Sequence, residues 1–132
     1  MDHNYDQAAC HGRLPSDTDQ AVHLLENAEV DHLDVGVIGF DQEGMVRVYN
    51  HPESAAAGLS RERVLGKHVF ESVAPCMNNY LVAQRFADAA TSREPLDVEI
   101  DYVLTLRMKP TGVRLRLIWT PQAQLSYIVV HR

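Results

Sequence analysis

The sequence predicts an α+β domain: a five-stranded antiparallel sheet with short helices on one face and an N-terminal helical cap. Three observations carry that expectation. First, two β-type runs, 35–40 and 45–49, flank Asp41-Gln42-Glu43-Gly44, a turn with glycine where positive φ is favoured. Second, the stretch from 50 to 92 is broken into short helical pieces by Gly66 and Pro75. Third, the remainder alternates apolar and polar residues at a period of two, giving three more strands. Hairpins at both ends imply antiparallel pairing, with one sheet face in the core and the other wet or covered by the N-terminal arm. A ligand held between the helical segment and the sheet suits such a layout.

Taken in order, residues 1–15 have no hydrophobic period and carry Gly12 and Pro15, so a loose arm is expected. Ser16 or Asp17 can cap a helix whose buried stripe is Ala21, Leu24, Leu25 and Ala28, too short for strong attachment. After the first hairpin come a small-residue helical turn at 52–58 and a helix from a Ser60 cap to Leu65, ended by Gly66. A short irregular piece, 69–73, stops at Pro75. Asn79 is expected to cap a longer helix from Tyr80 to about Ser92. Val98, Ile100, Tyr102, Leu104 and Leu106 then share one face of a strand, and Pro110-Thr111-Gly112 makes a turn. Val113, Leu115, Leu117 and Trp119 alternate with Arg114 and Arg116, and a last strand covers about 125–130. The expected division is 1–29 as arm and cap helix and 30–132 as the main domain.

Composition excludes several function classes. A chain of 132 residues is one domain, and its 45% hydrophobic and 23% charged fractions are those of a soluble globular protein. A net charge of −6 argues against nucleic acid as partner. The one basic cluster, Arg107, Lys109, Arg114 and Arg116, reads as a solvated sheet face. No apolar run approaches the ~20 residues of a membrane span, and Ala8-Ala9-Cys10 lacks the hydrophobic segment of a lipoprotein signal. Two cysteines do not form a disulfide framework. A reduced, cytoplasmic setting with Cys76 free for chemistry is the expectation.

The residues able to carry chemistry lie between Tyr49 and Cys76. A free cysteine is commonly a small buried hydrophobe. Cys76, however, follows a proline in a turn, and a thiol beside an apolar cavity suits a stable acyl link. A hydrolytic cysteine enzyme needs a base, and neither His51 nor His68 has a recognisable motif around it. The seven histidines show no metal-ligand spacing. Tyr49 and Glu53, four apart, are compatible with core packing and a helix-start carboxylate. Together they can also supply two O–H donors to one anionic oxygen, provided burial or a neighbouring anion keeps Glu53 protonated. Trp119 reads as a sheet core residue.

In-register Tyr49-Asn50, Glu53, Val64-Leu65-Gly66-Lys67 and Val73-Ala74-Pro75-Cys76 resemble the photoactive yellow protein family, blue-light receptors built on a PAS fold. The resemblance runs from Val30 onward, without gaps to about Phe86. It implies 4-hydroxycinnamic acid (p-coumaric acid) joined to Cys76 as a thioester, with the ring phenolate held by Tyr49 and a protonated Glu53. It implies a pocket of Ile38, Ala57, Leu59, Val73, Ala74, Pro75, Tyr102, Leu104 and Met108, with one residue inserted between Phe86 and Tyr102. It further implies light-driven trans-to-cis isomerisation, transfer of the Glu53 proton to the phenolate, and partial unfolding to a signalling state. Three positions depart from the family: Ala57 stands for a threonine, Leu59 for an arginine lid and Leu104 for a phenylalanine. These should alter colour, phenolate acidity and dark recovery. On this reading the chain is not an enzyme, is a monomer or weak dimer, touches neither nucleic acid nor membrane, and signals to an unknown downstream protein. The rivals are a chromophore-free PAS interaction or ligand-binding module and a cysteine-dependent acyl-transfer enzyme.

Overall fold

The turn after the first strand closes as its residues dictate. The Gly44 N–H donates to the Asp41 carbonyl at 2.9 Å, Asp41 Oδ1 accepts from the amides of Glu43 and Met45, and Gly44 has φ +86°. This computed structural model describes residues 14–27, 30–105 and 109–132. The expectations for 1–13, Ala28 and 106–108, Met108 included, lie outside the described residues. The turn joins β1 (Gly36–Phe40) to β2 (Val46–Tyr49), with Ile38 opposite Tyr49.

Helix α1 (Thr18–Asn27) precedes this hairpin, and Asp17 caps it through the Gln20 amide. It buries Ala21, Val22 and Leu25. After β2 comes α2 (His51–Ala57), capped by Asn50, with Pro52 in its first turn and Gly58 as left-handed C-cap at φ +73°. The short α3 (Arg61–Val64) follows Ser60, whose side chain makes no cap bond. A π-helical turn (Val69–Val73) and a 3₁₀ turn (Pro75–Met77) lead to α4 (Ala83–Ser92). The chain then runs through β3 (Leu96–Leu104), β4 (Thr111–Trp119) and β5 (Ser126–His131).

The expected helix start at Tyr80 is corrected to Ala83. Asn79 Oδ1 accepts from the amides of Leu81 and Val82 in a tight turn that ends at Val82 with φ −121°. Thr111 and Gly112 are the first residues of β4 rather than a turn.

The five strands form one antiparallel sheet in the order β2-β1-β5-β4-β3. Alternation sorts its faces into two apolar clusters. Ile38, Leu104, Val113, Leu115, Leu117, Ile128 and Val130 point toward the helical segment, where Phe40 packs edge-on against Phe70 and Phe86. Val35, Val37, Ile118, Tyr127 and Val129 point the other way, onto Ala21, Val22 and Leu25 of α1. The second face is therefore covered, not wet.

Cover on that face corrects the reading of the basic cluster. Arg114 is exposed, but Arg116 is only 6% exposed. Its guanidinium donates to both carboxylate oxygens of Asp97 at 2.8 Å and to the carbonyls of Pro15 and Ser16 at 2.7 and 3.1 Å. Thr18 Oγ1 donates to the same carboxylate. A bidentate pair with two further bonds to backbone carbonyls supplies what the short apolar stripe of α1 lacks.

Candidate functional site

Asn50 builds one end of the site. It is 1% exposed, and its Oδ1 accepts from the amides of Val37 at 2.8 Å and Glu53 at 3.2 Å. Its Nδ2 donates to the carbonyls of Val30 and Val35, both at 2.9 Å. All four contacts are made, so the end of β2, the start of β1 and the first turn of α2 are locked together. Tyr49 and Glu53 flank this lock, each 2% exposed.

The Glu53 carboxyl lies directly on Gly36: a Cβ there would be 2.0 Å from Oε1. Arg132 meets it from just beyond β5, with Nη1 donating to Oε1 at 2.7 Å and Nη2 to Oε2 at 3.3 Å. Burial first, then the charge of Glu53, pushes the Tyr49 hydroxyl well above the ordinary tyrosine range, while Arg132 pulls the other way. Tyr49 accordingly stays a neutral phenol across the physiological range.

Cys76 builds the other end. It is a free thiol, half-buried on the 3₁₀ turn that Pro75 starts. Its carbonyl accepts from Tyr102 Oη and, at 3.2 Å, from Asn79 Nδ2, which also donates to Tyr102 Oη at 2.6 Å. This three-membered cluster fixes the cysteine backbone to β3.

Between the ends lies one apolar cluster. Tyr49, Ile38, Val73, Ala74 and Leu104 are among its buried members, and Leu59, Cys76 and Tyr102 pack against it. Ala57 is buried on α2, Pro75 is exposed, and Met108 lies outside the described residues. His68 caps the π-helical turn, its Nδ1 accepting from the amides of Phe70 and Glu71. A separate cleft of about 520 Å³, lined by Phe40, His68, Phe86 and Trp119 among others, contains none of Tyr49, Glu53 and Cys76.

Arg132 was given no role by the sequence, while Asn79, expected as a helix cap, and Asn50, quoted within the motif, also position the site. Asn50 had a signal, the Asn-x-x-Glu spacing of a capped helix start. Arg132 had none, being 79 positions from its partner.

A family profile for the PAS fold matches residues 22–132. A photoactive yellow protein of Rhodothalassium salexigens is 30% identical over 101 residues, covering 76% of this chain and 80% of that one. The chain belongs to the photoactive yellow protein family. A second member, from Halochromatium salexigens, is likewise 30% identical over 101 residues. Among solved structures, the photoactive yellow protein domain of the sensor histidine kinase Ppr from Rhodospirillum centenum superposes with a TM-score of 0.77 at 32% identity, over 84% of this chain and 99% of that domain. A sensor histidine kinase/response regulator domain from Geobacter sulfurreducens, 17% identical with a TM-score of 0.61, shares the fold over 89% of this chain and 100% of that domain. Membership in the photoactive yellow protein family carries a sensory role in general terms. Among the described residues, no helix is long and apolar enough to cross a membrane.

Proposed function

We propose that the chain is a blue-light photoreceptor carrying 4-hydroxycinnamic acid as a thioester on Cys76, with residues 30–132 as the photosensory unit and 1–29 as its arm and cap. The observation that carries the proposal is the pairing, around one apolar cluster, of a free thiol with a buried phenol and carboxyl. The donor set fits the group: a thiol for the acyl link, apolar walls for a flat ring, and polar groups at the far end. When bound, such a group supplies light-driven isomerisation about a double bond and an acidic ring oxygen.

The chain's own residues do the rest. Cys76 provides the sulfur, and the Tyr102–Asn79 cluster holds its carbonyl so that the link is presented from a fixed backbone. Tyr49, held neutral by burial, donates to the ring oxygen. Glu53 is the second group at that oxygen and the one through which a proton passes to it. A buried carboxylate then appears beside Arg132, and the redistribution of charge between ring and carboxyl loosens α2 and the sheet toward a signalling form. Leu59 and Ala57 leave this end without the lid cation and the hydroxyl expected of the family.

Reconstitution with activated 4-hydroxycinnamic acid is expected to give a yellow protein, with the added mass on the peptide containing Cys76, and C76S is expected to stay colourless. A colourless product with unmodified Cys76 would refute the proposal and favour a chromophore-free PAS module. E53Q should keep colour but lose the carboxyl signal in light-minus-dark infrared spectra; an unchanged signal would remove Glu53 from the proton path.

A further inference from the structure

Glu53 has a counterion supplied from just beyond β5, the strand that pairs with β1. Arg132 holds both carboxylate oxygens, its own side chain is 29% exposed, and that of Glu53 is 3% exposed. Among the described residues, this carboxylate meets Gly36 on β1, Tyr49 on β2 and Arg132 beyond β5. Only Arg132 among these brings positive charge.

We infer that Arg132 is a positioning residue of the photoreceptor site that keeps Glu53 paired whenever Glu53 is a carboxylate. The inference rests on the function proposed above and adds a charge balance to it. When the proton leaves Glu53 for the ring oxygen, one negative charge passes from ring to carboxyl and the guanidinium keeps its positive charge. The site is therefore neutral before and after. The guanidinium reaches both oxygens, Oε1 at 2.7 Å and Oε2 at 3.3 Å, so one arginine serves the whole carboxylate.

The consequence is a photocycle in which the buried carboxylate is compensated instead of bare. Its formation strains the fold less, and the lit form is longer-lived than it would be without the arginine. A bare carboxylate costs more than a paired one because burial removes water without a replacement partner.

The test has two arms. In the chromophore-free protein, R132Q, E53Q and the double variant are compared by urea unfolding. R132Q is expected to lower the folding equilibrium constant roughly 10- to 100-fold, discounted for the partial exposure of Arg132, and the double variant to recover most of that loss. Effects of the two changes that simply add would overturn the inference. In the reconstituted protein, R132Q is expected to recover in the dark several-fold faster than the parent, with R132K in between. Recovery unchanged by R132Q, in a protein that loads its chromophore, would overturn the inference alone by reducing the pair to a structural one. Failure of the parent to load would overturn both it and the proposed function.

Discussion

Replacing Asn50 by alanine is expected to lower stability by about 3–5 kcal/mol. The side chain serves four backbone groups: the amides of Val37 and Glu53, and the carbonyls of Val30 and Val35. Loss of the helix cap at Glu53 accounts for about 1 kcal/mol. Val37 and Val35 are buried, so their abandoned amide and carbonyl cost roughly 1–3 kcal/mol each, while half-exposed Val30 can find water. Sharing of relaxation among neighbours makes the total less than the sum, hence about 3–5 kcal/mol. Against a total of about 5–15 kcal/mol for a domain, that is a large fraction, and it corresponds to a melting temperature lower by about 10–20 °C. N50D is the informative control. It keeps both acceptor bonds but turns two donors into an anion facing two carbonyls, so it should be no more stable than N50A. Urea and thermal unfolding of both variants provide the assay. N50A within about 1 kcal/mol of the parent, or N50D at parental stability, would refute the assignment of Asn50 as the lock between β1, β2 and α2.

Two further predictions concern other joints of the fold. Gly36→Ala places a methyl 2.0 Å from Glu53 Oε1 and 3.1 Å from its Cβ and Cδ, so the carboxyl must leave its seat and its bond to Arg132. A loss of roughly 1–3 kcal/mol is expected in urea unfolding, largely relieved by E53A in the same chain; an undiminished loss in the double variant would contradict that cause. Burial by itself raises the Asp97 carboxyl, but the Arg116 guanidinium and the Thr18 hydroxyl outweigh it and hold the group below the ordinary value of 3.8. A depressed folded-state value gives stability that is complete above the unfolded value and is lost as pH falls through the folded one. The contact of α1 with the sheet should thus hold above pH 3.8 and weaken below it, read as faster amide exchange in residues 18–27. D97N should remove that acid step, and an identical acid step in D97N would exclude Asp97 as its source.

What could be read from the sequence was local. Strand alternation fixes which face each side chain takes, so Val98, Ile100, Tyr102 and Leu104 fall on the helical side as expected. Glycines at Gly44, Gly58 and Gly66 occupy positive φ because a side chain is strained there, and that preference is legible residue by residue. Tyr49, Glu53 and Cys76 were legible as a motif because their spacing follows one short segment. The rest depends on partners far along the chain. Arg116 has the pattern of an outward residue, and only the placement over it of the segment leading into α1 turns it into a buried clamp. The delayed start of α4 arises because Asn79 is drawn to Cys76 and Tyr102, a contact spanning 23 residues. Glu53 reads as a helix-start carboxylate; its seat on Gly36 and its pairing with Arg132 emerge only once the sheet is assembled.

The most direct measurement is the ultraviolet–visible spectrum of the natively produced protein before and after blue light. A visible band in the dark that bleaches on illumination, returns in darkness and is missing in C76S is the predicted result. No visible absorption, or a band untouched by light or by C76S, would contradict the assignment of Cys76, Tyr49 and Glu53 to a light-sensing site.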